Sequence, residues 1–137
     1  MILLDTNVLS ALMRRAPEPA VVDWLDRQPI ETIWTTSISV FEIVMGIQLL
    51  EPSRRRAELE QAFEWLIDDD LNGRVQPFDR ECSAEAGRIA AARQRSGRAV
   101  EFRDVQIAGI ASARGATLAT RNIRHFTGLG VDLIDPR

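Results

Sequence analysis

The sequence predicts an α/β fold in which helices cover both faces of a mainly parallel β-sheet. Segments with helical periodicity alternate with short apolar segments along most of the 137 residues. The short segments are apolar on both faces, which is typical of strands buried in a parallel sheet. Glycines and prolines fall at the boundaries between segments. A composition of 45% hydrophobic and 27% charged residues fits one compact domain spanning residues 1–137.

The predicted elements begin with a strand at residues 2–4, followed by polar residues that suit a helix start. Further strands are predicted at residues 32–36, 75–78, 117–120 and 131–134. Helices are predicted at residues 18–27, 37–50, 54–71, 80–94 and 103–113. This alternation implies right-handed crossovers, and ligands of such folds bind beyond the carboxyl ends of the strands. Polar residues at those ends are therefore the candidates for chemistry.

Composition excludes several classes of function. The chain has one cysteine, Cys82, and one histidine, His125, so an internal disulfide and metal sites built on several thiolates or imidazoles are excluded. The apolar opening at residues 1–4 is too short for a signal peptide or a membrane span, and we expect a cytoplasmic protein that does not enter a membrane. A net charge of -3 is unusual for a protein that coats nucleic acid, although local basic patches remain compatible with it.

Asp5 directly follows the first predicted strand, so its carboxylate should stand at the carboxyl edge of the sheet. The alternative is a helix N-cap that accepts hydrogen bonds from the first turn.

Glu42 lies inside an apolar segment. Its neighbours one helical turn away are the apolar residues Ile38 and Met45 and Gly46, which has no side chain. A buried carboxylate there needs a partner. Because Ser39 precedes Glu42 by three residues, a capping box at the helix start is an equally good interpretation.

Asp104 lies one turn before Ile107 and Ala108, on the inward face of a predicted helix. The alternative for Asp104 is simple placement at the positive end of the helix dipole. Three carboxylates brought close together repel one another unless a proton or a cation lies between them. An all-oxygen ligand set suits Mg²⁺ or Mn²⁺ better than zinc.

Four segments resemble, in order, the motifs of PIN-domain ribonucleases, and most closely those of the VapC toxins with their FitB-like members. They are residues 1–9, 39–46, 103–108 and 118–122, and the resemblance continues to residues 131–136. It implies a PIN-like α/β/α sandwich on a five-stranded sheet and an endoribonuclease that depends on Mg²⁺ or Mn²⁺. It also implies products with a 5′-phosphate and a 3′-hydroxyl, inhibition by a small VapB-like antitoxin, and a homodimer.

Carried over by position, the resemblance makes Asp5, Glu42 and Asp104 the catalytic and metal-binding acids. Asn7 and Thr120 match positions whose side chains steady the acids and a metal-bound water.

The sequence departs from the family where a fourth acid is often found, because Asn122 and His125 stand at those places. One negative charge is missing, which bears on metal affinity and on the occupancy of a second metal. Asn122 can still offer an oxygen or a water-mediated contact. His125 can act as a ligand, a proton donor or a phosphate contact, or remain a solvated side chain.

Positive side chains should rim an acidic site that receives RNA, and Arg103, Arg121 and Arg124 adjoin the motif residues in sequence. Each is otherwise an ordinary solvated arginine. The apolar residues Phe63, Trp65, Leu66 and Ile67 lie between two charge runs and are expected to form a groove or a pairing surface for an antitoxin helix.

The leading hypothesis is a metal-dependent endoribonuclease that acts as the toxin of a toxin–antitoxin system. The first alternative is a PIN fold that binds RNA or a partner without cutting, because its fourth acidic position is weakened. The second is a phosphotransfer domain with Asp5 as the nucleophile. Phosphatases with an aspartate nucleophile require an acid or a threonine at the position that Asn7 occupies. A receiver domain requires a lysine, and this chain has none.

Overall fold

The computed structural model describes all residues from Met1 to Arg137 and contains five strands and seven helices. In chain order they are β1 (Ile2–Leu4), α1 (Thr6–Leu12), α2 (Pro19–Asp26), β2 (Ile33–Thr36), α3 (Ser37–Gln48), α4 (Arg54–Trp65), β3 (Val75–Gln76), α5 (Arg80–Arg95), α6 (Phe102–Arg114), β4 (Thr117–Ala119), α7 (Ile123–Phe126) and β5 (Leu133–Ile134). A 3₁₀ turn at Ile30–Thr32 precedes β2, and a π-helical turn at Leu66–Asp70 continues α4. The predicted α/β class is confirmed.

The five strands form one sheet in the order β3-β2-β1-β4-β5, and every neighbouring pair is parallel. In the central strand β1, Leu4 is in register with Thr35 of β2 and with Ala119 of β4. The carboxyl ends of these three strands therefore meet at one edge of the sheet. Asp5 and Thr120 are the residues that follow β1 and β4 at that edge.

The core consists of two apolar clusters, one on each face of the sheet. Leu4 and Ala119 belong to the cluster that includes residues of α1 to α4, whereas Leu3 and Leu118 belong to the cluster that includes residues of α5, α6 and α7. Successive strand residues point to opposite faces, so both faces of β1 and β4 are covered. This burial explains why the strands have no polar alternation.

The two helices α5 and α6 approach each other closely at Gly109. A Cβ atom at Gly109 would lie 2.6 Å from the Cβ of Ala86 and 2.7 Å from the backbone oxygen of Cys82. The small residue is therefore required for helix packing, while Ala108 and Ala111 on the same helix join the core beneath the sheet.

The structure differs from the sequence predictions mainly at short elements. Helix α7 was not predicted, because four residues are too few to show a helical period. Strand β3 ends at Gln76, since Pro77 has no amide hydrogen for the ladder. The end of the long predicted helix is a π-turn in which the amide of Leu71 donates to the carbonyl of Leu66. None of the helices is both long and apolar enough to cross a bilayer.

Candidate active site

A cleft of about 670 Å³ opens at the carboxyl edge of the sheet, and no hydrophobic residue lines it. The three predicted acids all reach it: Asp5 from the β1–α1 junction, Glu42 from α3 and Asp104 from α6. The other residues of its wall are Thr6, Asn7, Ser10, Arg14, Glu101, Arg103, Arg121, Asn122, His125 and Arg137. The fold thus brings together three acids that are distant in sequence, and Asp5 lies at the sheet edge as the strand-end argument predicted.

Asp5 is buried, with 6% of its surface exposed, and both of its carboxylate oxygens are hydrogen-bonded. Its Oδ1 accepts from the amide of Thr6 over 2.8 Å, so the expected N-cap is present. Its Oδ2 accepts from the hydroxyl of Thr120 over 2.8 Å and from the side-chain amide of Asn7 over 3.2 Å. Burial raises the pKa of Asp5, and the hydrogen bonds from Thr120 and Thr6 oppose that rise.

Asn7 and Thr120 join the ends of β1 and β4 into one polar network. The side-chain oxygen of Asn7 accepts from the amide of Arg121 over 3.1 Å, and the hydroxyl oxygen of Thr120 accepts from the amide of Asn122 over 3.0 Å. Each of these two side chains therefore contacts Asp5 and also fixes the backbone that follows β4. The geometry suits side chains that hold Asp5 in one orientation.

Glu42 lies in the second turn of α3, and the capping-box interpretation is wrong. The N-cap of α3 is Thr36, whose hydroxyl accepts from the amide of Ser39 over 3.1 Å, so Glu42 is three residues beyond the position that a capping box requires. Its side chain is 23% exposed and has two partners. Oε1 accepts from the hydroxyl of Thr6 over 2.9 Å, and Oε2 lies 3.6 Å from the guanidinium of Arg103.

Asp104 lies in the first turn of α6, as its helix-dipole interpretation expects, and its Oδ2 lies 3.5 Å from Nδ1 of His125. Burial raises the pKa of Asp104 to about 6, the nearby His125 lowers it, and the negative charges of Asp5, Glu101 and Glu42 raise it further. The three acids thus influence one another electrostatically across the cleft.

The residue types fit a divalent cation, since three carboxylates face one polar cleft and burial disfavours the charges on two of them. However, no three side chains of the aspartate, glutamate, histidine or cysteine type lie close enough together to hold one ion as they stand. Glu42 faces Arg103 and Asp104 faces His125. An ion held by all three acids would therefore require Glu42 and Asp104 to rotate away from their present partners.

The three predicted RNA-binding arginines differ in their surroundings. Arg103 and Arg121 line the cleft, whereas Arg124 is exposed and is not part of its wall. The side chain of Arg121 is only 20% exposed and lies 2.6 Å from Oε2 of Glu18. That oxygen is buried, and no donor meets it with the geometry of a hydrogen bond. The contact is therefore an ion pair, and it occupies the guanidinium of Arg121.

Sequence reasoning missed five polar residues of the cleft. The hydroxyl of Thr6 donates to Glu42 and lies 3.0 Å from the hydroxyl of Ser39. Thr6 could have been predicted as a site residue, because it stands next to Asp5 at the end of a strand. Ser10, Arg14, Glu101 and Arg137 also line the wall. Arg14 and Arg137 lie outside the motifs, and only the folded chain brings them to the cleft.

The apolar segment of α4 contributes to a separate groove of about 670 Å³ lined by nine hydrophobic residues. Of the four residues expected there, Phe63 is buried in the core and Ile67 packs against it. Leu66 is also buried but reaches the groove wall, and Trp65 lines the groove with 63% of its surface exposed. Asp26, Asp69 and Asp70 supply acidic groups to the same wall.

Comparisons with known proteins agree with this architecture. The family model described as PIN domain matches residues 2–129. The chain is 37% identical over 136 residues to VapC ribonuclease Y4jK of Sinorhizobium fredii, covering 99% of this chain and 97% of that protein. It is 33% identical to Toxin FitB of Neisseria gonorrhoeae, covering 99% and 98%. The crystal structure of FitAcB from Neisseria gonorrhoeae superposes with a TM-score of 0.89 at 33% identity, covering 99% of this chain and 98% of that one.

Proposed function

The chain belongs to the PIN-domain family, and from that premise we propose that it is a divalent-metal-dependent endoribonuclease that acts as the toxin of a toxin–antitoxin pair. One observation carries the enzymatic part: three carboxylates from separate elements face a single polar cleft at the carboxyl edge of the sheet. Relatives named as a ribonuclease and as a toxin support the assignment of substrate and role.

In the proposed site Asp5, Glu42 and Asp104 hold Mg²⁺ or Mn²⁺. Asp5 is the fixed ligand, because Thr120, Asn7 and the amide of Thr6 hold its carboxylate. Glu42 and Asp104 are the adjustable ligands, since they stand 23% and 21% exposed and contact flexible side chains.

A bound divalent cation would lower the pKa of a water and neutralise charge on the phosphodiester. The chain's own residues supply the rest. Arg103 contacts Glu42 and is 42% exposed, so it can turn to a phosphate of the substrate when Glu42 turns to the cation. His125 stands beside Asp104 on the cleft wall, where it can contact a phosphate or donate a proton to the leaving oxygen.

The test is cleavage of total cellular RNA by the purified chain with Mg²⁺, with Mn²⁺ and with EDTA. We expect discrete fragments that disappear with EDTA and in both the Asp5→Asn and the Glu42→Gln variants. Asp23→Asn, an exposed change on α2 outside the cleft wall, is the control and should cleave normally.

The alternative of a binding module that does not cut is favoured by Asn122 and His125 at the place of a fourth acid. A folded protein that binds RNA but cleaves none under any of these conditions would establish that alternative. Restored cleavage in an Asn122→Asp variant would then identify the missing charge as the cause.

We propose that the partner is a small antitoxin that docks in the groove beside Trp65. The groove combines apolar walls with three acids, Asp26, Asp69 and Asp70, and one base, Arg14. This excess of acid suits an amphipathic segment that carries basic residues. A relative named Toxin FitB and the FitAcB structure support this partner class. The protein encoded directly upstream is the one to test.

We also propose that the whole chain acts as a single domain, in the cytoplasm, where its RNA substrate lies, and as a homodimer. The outer face of α3 exposes Phe41, Val44 and Met45 at helical spacing and is the surface that suits a second copy. Sedimentation of the parent chain and of a Val44→Asp variant tests this, since the charged variant should be monomeric and a dimeric variant would contradict it.

A further inference from the structure

A further cavity, of about 710 Å³, lies outside the acidic cleft and the groove beside Trp65, between the C-terminal half of α5 and the loop that joins α7 to β5. We call it the basic groove. Its polar walls include Arg88, Arg93 and Arg98, and its remaining surface is formed by Ile89, Ala92, Ser96, Gly128, Leu129 and Gly130. No acidic residue lines it, which distinguishes it from the cleft that contains Asp5.

The positive charge of the basic groove is concentrated in one stretch of sequence. Between Glu85 and Glu101 the chain carries four arginines, at 88, 93, 95 and 98, and no acidic residue, although its net charge is -3. Among the three arginines that line the groove only Arg88 forms an ion pair, with Glu85 at 2.7 Å on the exposed surface. Such exposed pairs are weak and exchange readily for a phosphate.

Contacts of Arg93 and Arg98 with nearby backbone shape the basic groove. Nε of Arg93 donates to the carbonyl of Ala99 over 2.8 Å, which ties α5 to the loop before α6. Arg98 lies beside Gly128, because a Cβ on that glycine would be 3.3 Å from Nη1 of the arginine. Gly128 and Gly130 have φ values of 82° and 75°, a left-handed conformation that glycine adopts without strain, and the absence of side chains leaves their backbone open to close approach.

The groove adjoins the active-site cleft through two segments of the chain. The loop that carries Arg98 leads to Glu101 and Arg103, which line the cleft. Helix α7 carries His125 on the cleft wall and leads to Gly128 on the groove wall. Only three positions of sequence separate Arg98 from Glu101 and His125 from Gly128, so the walls of the groove and of the cleft are neighbours along the chain.

We propose that the basic groove binds the phosphate backbone of the RNA substrate beyond the bond that is cut. This rests on the proposed ribonuclease function and adds to it the path of the substrate. Arginine forks match phosphate geometry, and no aromatic side chain lines the groove for base stacking. The contact therefore contributes affinity and register without reading sequence.

The test removes Arg88 and Arg98 together, as Arg88→Gln with Arg98→Gln, and leaves Arg93 to hold the loop. Binding of a labelled single-stranded RNA is measured in EDTA across a salt series. Each phosphate contact contributes about 0.7 to the slope of log K against log salt, so we expect the slope to fall by about 1.4 and the affinity to fall about ten-fold at about 0.15 M salt. Arg54→Gln is the matched control, since it removes an exposed arginine at the start of α4, on the other face of the sheet.

Cleavage provides a second readout that a loss of folding would not imitate. The double variant should cut a dinucleotide as the parent does and show a raised KM with unchanged kcat only on a long RNA. Equal RNA affinity and equal salt slopes in the double variant and the Arg54→Gln control would overturn the proposal. Retained RNA affinity with lost antitoxin binding would also overturn it and would assign the groove to a protein partner.

Failure of the proposed ribonuclease function is distinguishable from these outcomes. A parent chain that cleaves no RNA contradicts the ribonuclease, while its RNA affinity in EDTA still decides the role of the groove.

Discussion

The hydroxyl of Thr120, at the end of β4, donates a 2.8 Å hydrogen bond to Oδ2 of Asp5, at the end of β1. Both residues are buried, and the bond spans 115 positions of sequence. It opposes the rise in the pKa of Asp5 that burial causes. The parallel pairing of β1 with β4 is what places a donor beside the acid, so the sheet itself orients the carboxylate.

Replacing Thr120 with valine should lower RNA cleavage by about 10- to 100-fold, because outer partners of metal ligands orient them. The free energy of unfolding should fall by only about 1 kcal/mol. Thr35→Val is the matched control, since Thr35 is equally buried in the neighbouring strand and donates to the carbonyl of Leu4 over 2.8 Å. Steady-state cleavage and urea unfolding of both variants provide the check. Equal losses of cleavage in the two variants would contradict the positioning role.

Asp104→Asn should stabilise the fold while abolishing cleavage. The pKa of Asp104 is raised from the ordinary 3.8 to about 6, so between these pH values the folded chain keeps a proton that the unfolded chain has lost. The contribution of this carboxyl to stability is therefore complete below about pH 4 and is lost as pH rises through about 6. After allowance for its partial exposure, we expect the asparagine variant to gain about 1 kcal/mol at pH 7 in EDTA.

Urea unfolding at pH 4 and pH 7 tests this sign, because the gain should appear at the higher pH and not at the lower. Cleavage by the parent chain should rise with pH through about 6, since a cation can bind Asp104 only after its proton has left. A variant that is less stable than the parent at pH 7 would show that the carboxylate is favourably paired.

Arg121→Gln should weaken RNA binding more than cation binding, because Arg121 is expected to exchange Glu18 for a phosphate when RNA binds. The ion pair between them, at 2.6 Å, competes with a phosphate for the guanidinium. Glu18→Gln removes the competitor and should therefore raise RNA affinity. Titrations of RNA in EDTA and of Mn²⁺ without RNA separate the two effects. Unchanged RNA affinity in both variants would restrict Arg121 to a structural contact.

Gly109→Ala should destabilise the chain by about 3 kcal/mol, because the added Cβ would lie 2.6 Å from the Cβ of Ala86 and 2.7 Å from backbone atoms of α5. Gly87→Ala is the control on the facing helix, where a Cβ meets nothing within 4 Å. It should gain about 0.5 to 1 kcal/mol from helix propensity. Thermal unfolding of both variants measures the difference, and two variants of equal stability would exclude the tight helix contact.

Trp65→Ala should weaken the complex with the proposed antitoxin without unfolding the chain, because Trp65 lines the groove and 63% of its surface is exposed. Large aromatic side chains in such grooves often dominate binding energy, and a loss of about 2 kcal/mol, or about 30-fold in affinity, is expected. Leu49→Ala is the control, since Leu49 is 79% exposed and lies outside the groove. Calorimetric titration with the upstream-encoded protein would contradict the docking site if the two variants bound equally.

Prediction from the sequence was best where the signal is local. The alternation of elements and the positions of β1, α2 and α5 follow from the periodicity of a few neighbouring residues, and the structure agrees to within two residues. Helix α7 and the π-turn after α4 were not predicted, because a segment of four or five residues is too short to show a helical periodicity. The capping-box alternative for Glu42 was excluded only when the helix start was fixed at Thr36.

The sequence by itself determined the fold class and the place of Asp5, because a polar residue that follows a buried strand is placed at the sheet edge by the strand's own geometry. It indicated Glu42 and Asp104, which lie on helices, from the pattern of their segments and from the family resemblance. Only the tertiary structure decided which groups face those acids: Thr6 and Arg103 at Glu42, and His125 at Asp104. The tertiary structure also pairs Arg121 with Glu18 and places Arg14 and Arg137 on the wall of the cleft. The physical reason is that the partners of a side chain depend on the order of the strands and on the packing of the helices. Both are determined by interactions between residues that are distant in sequence.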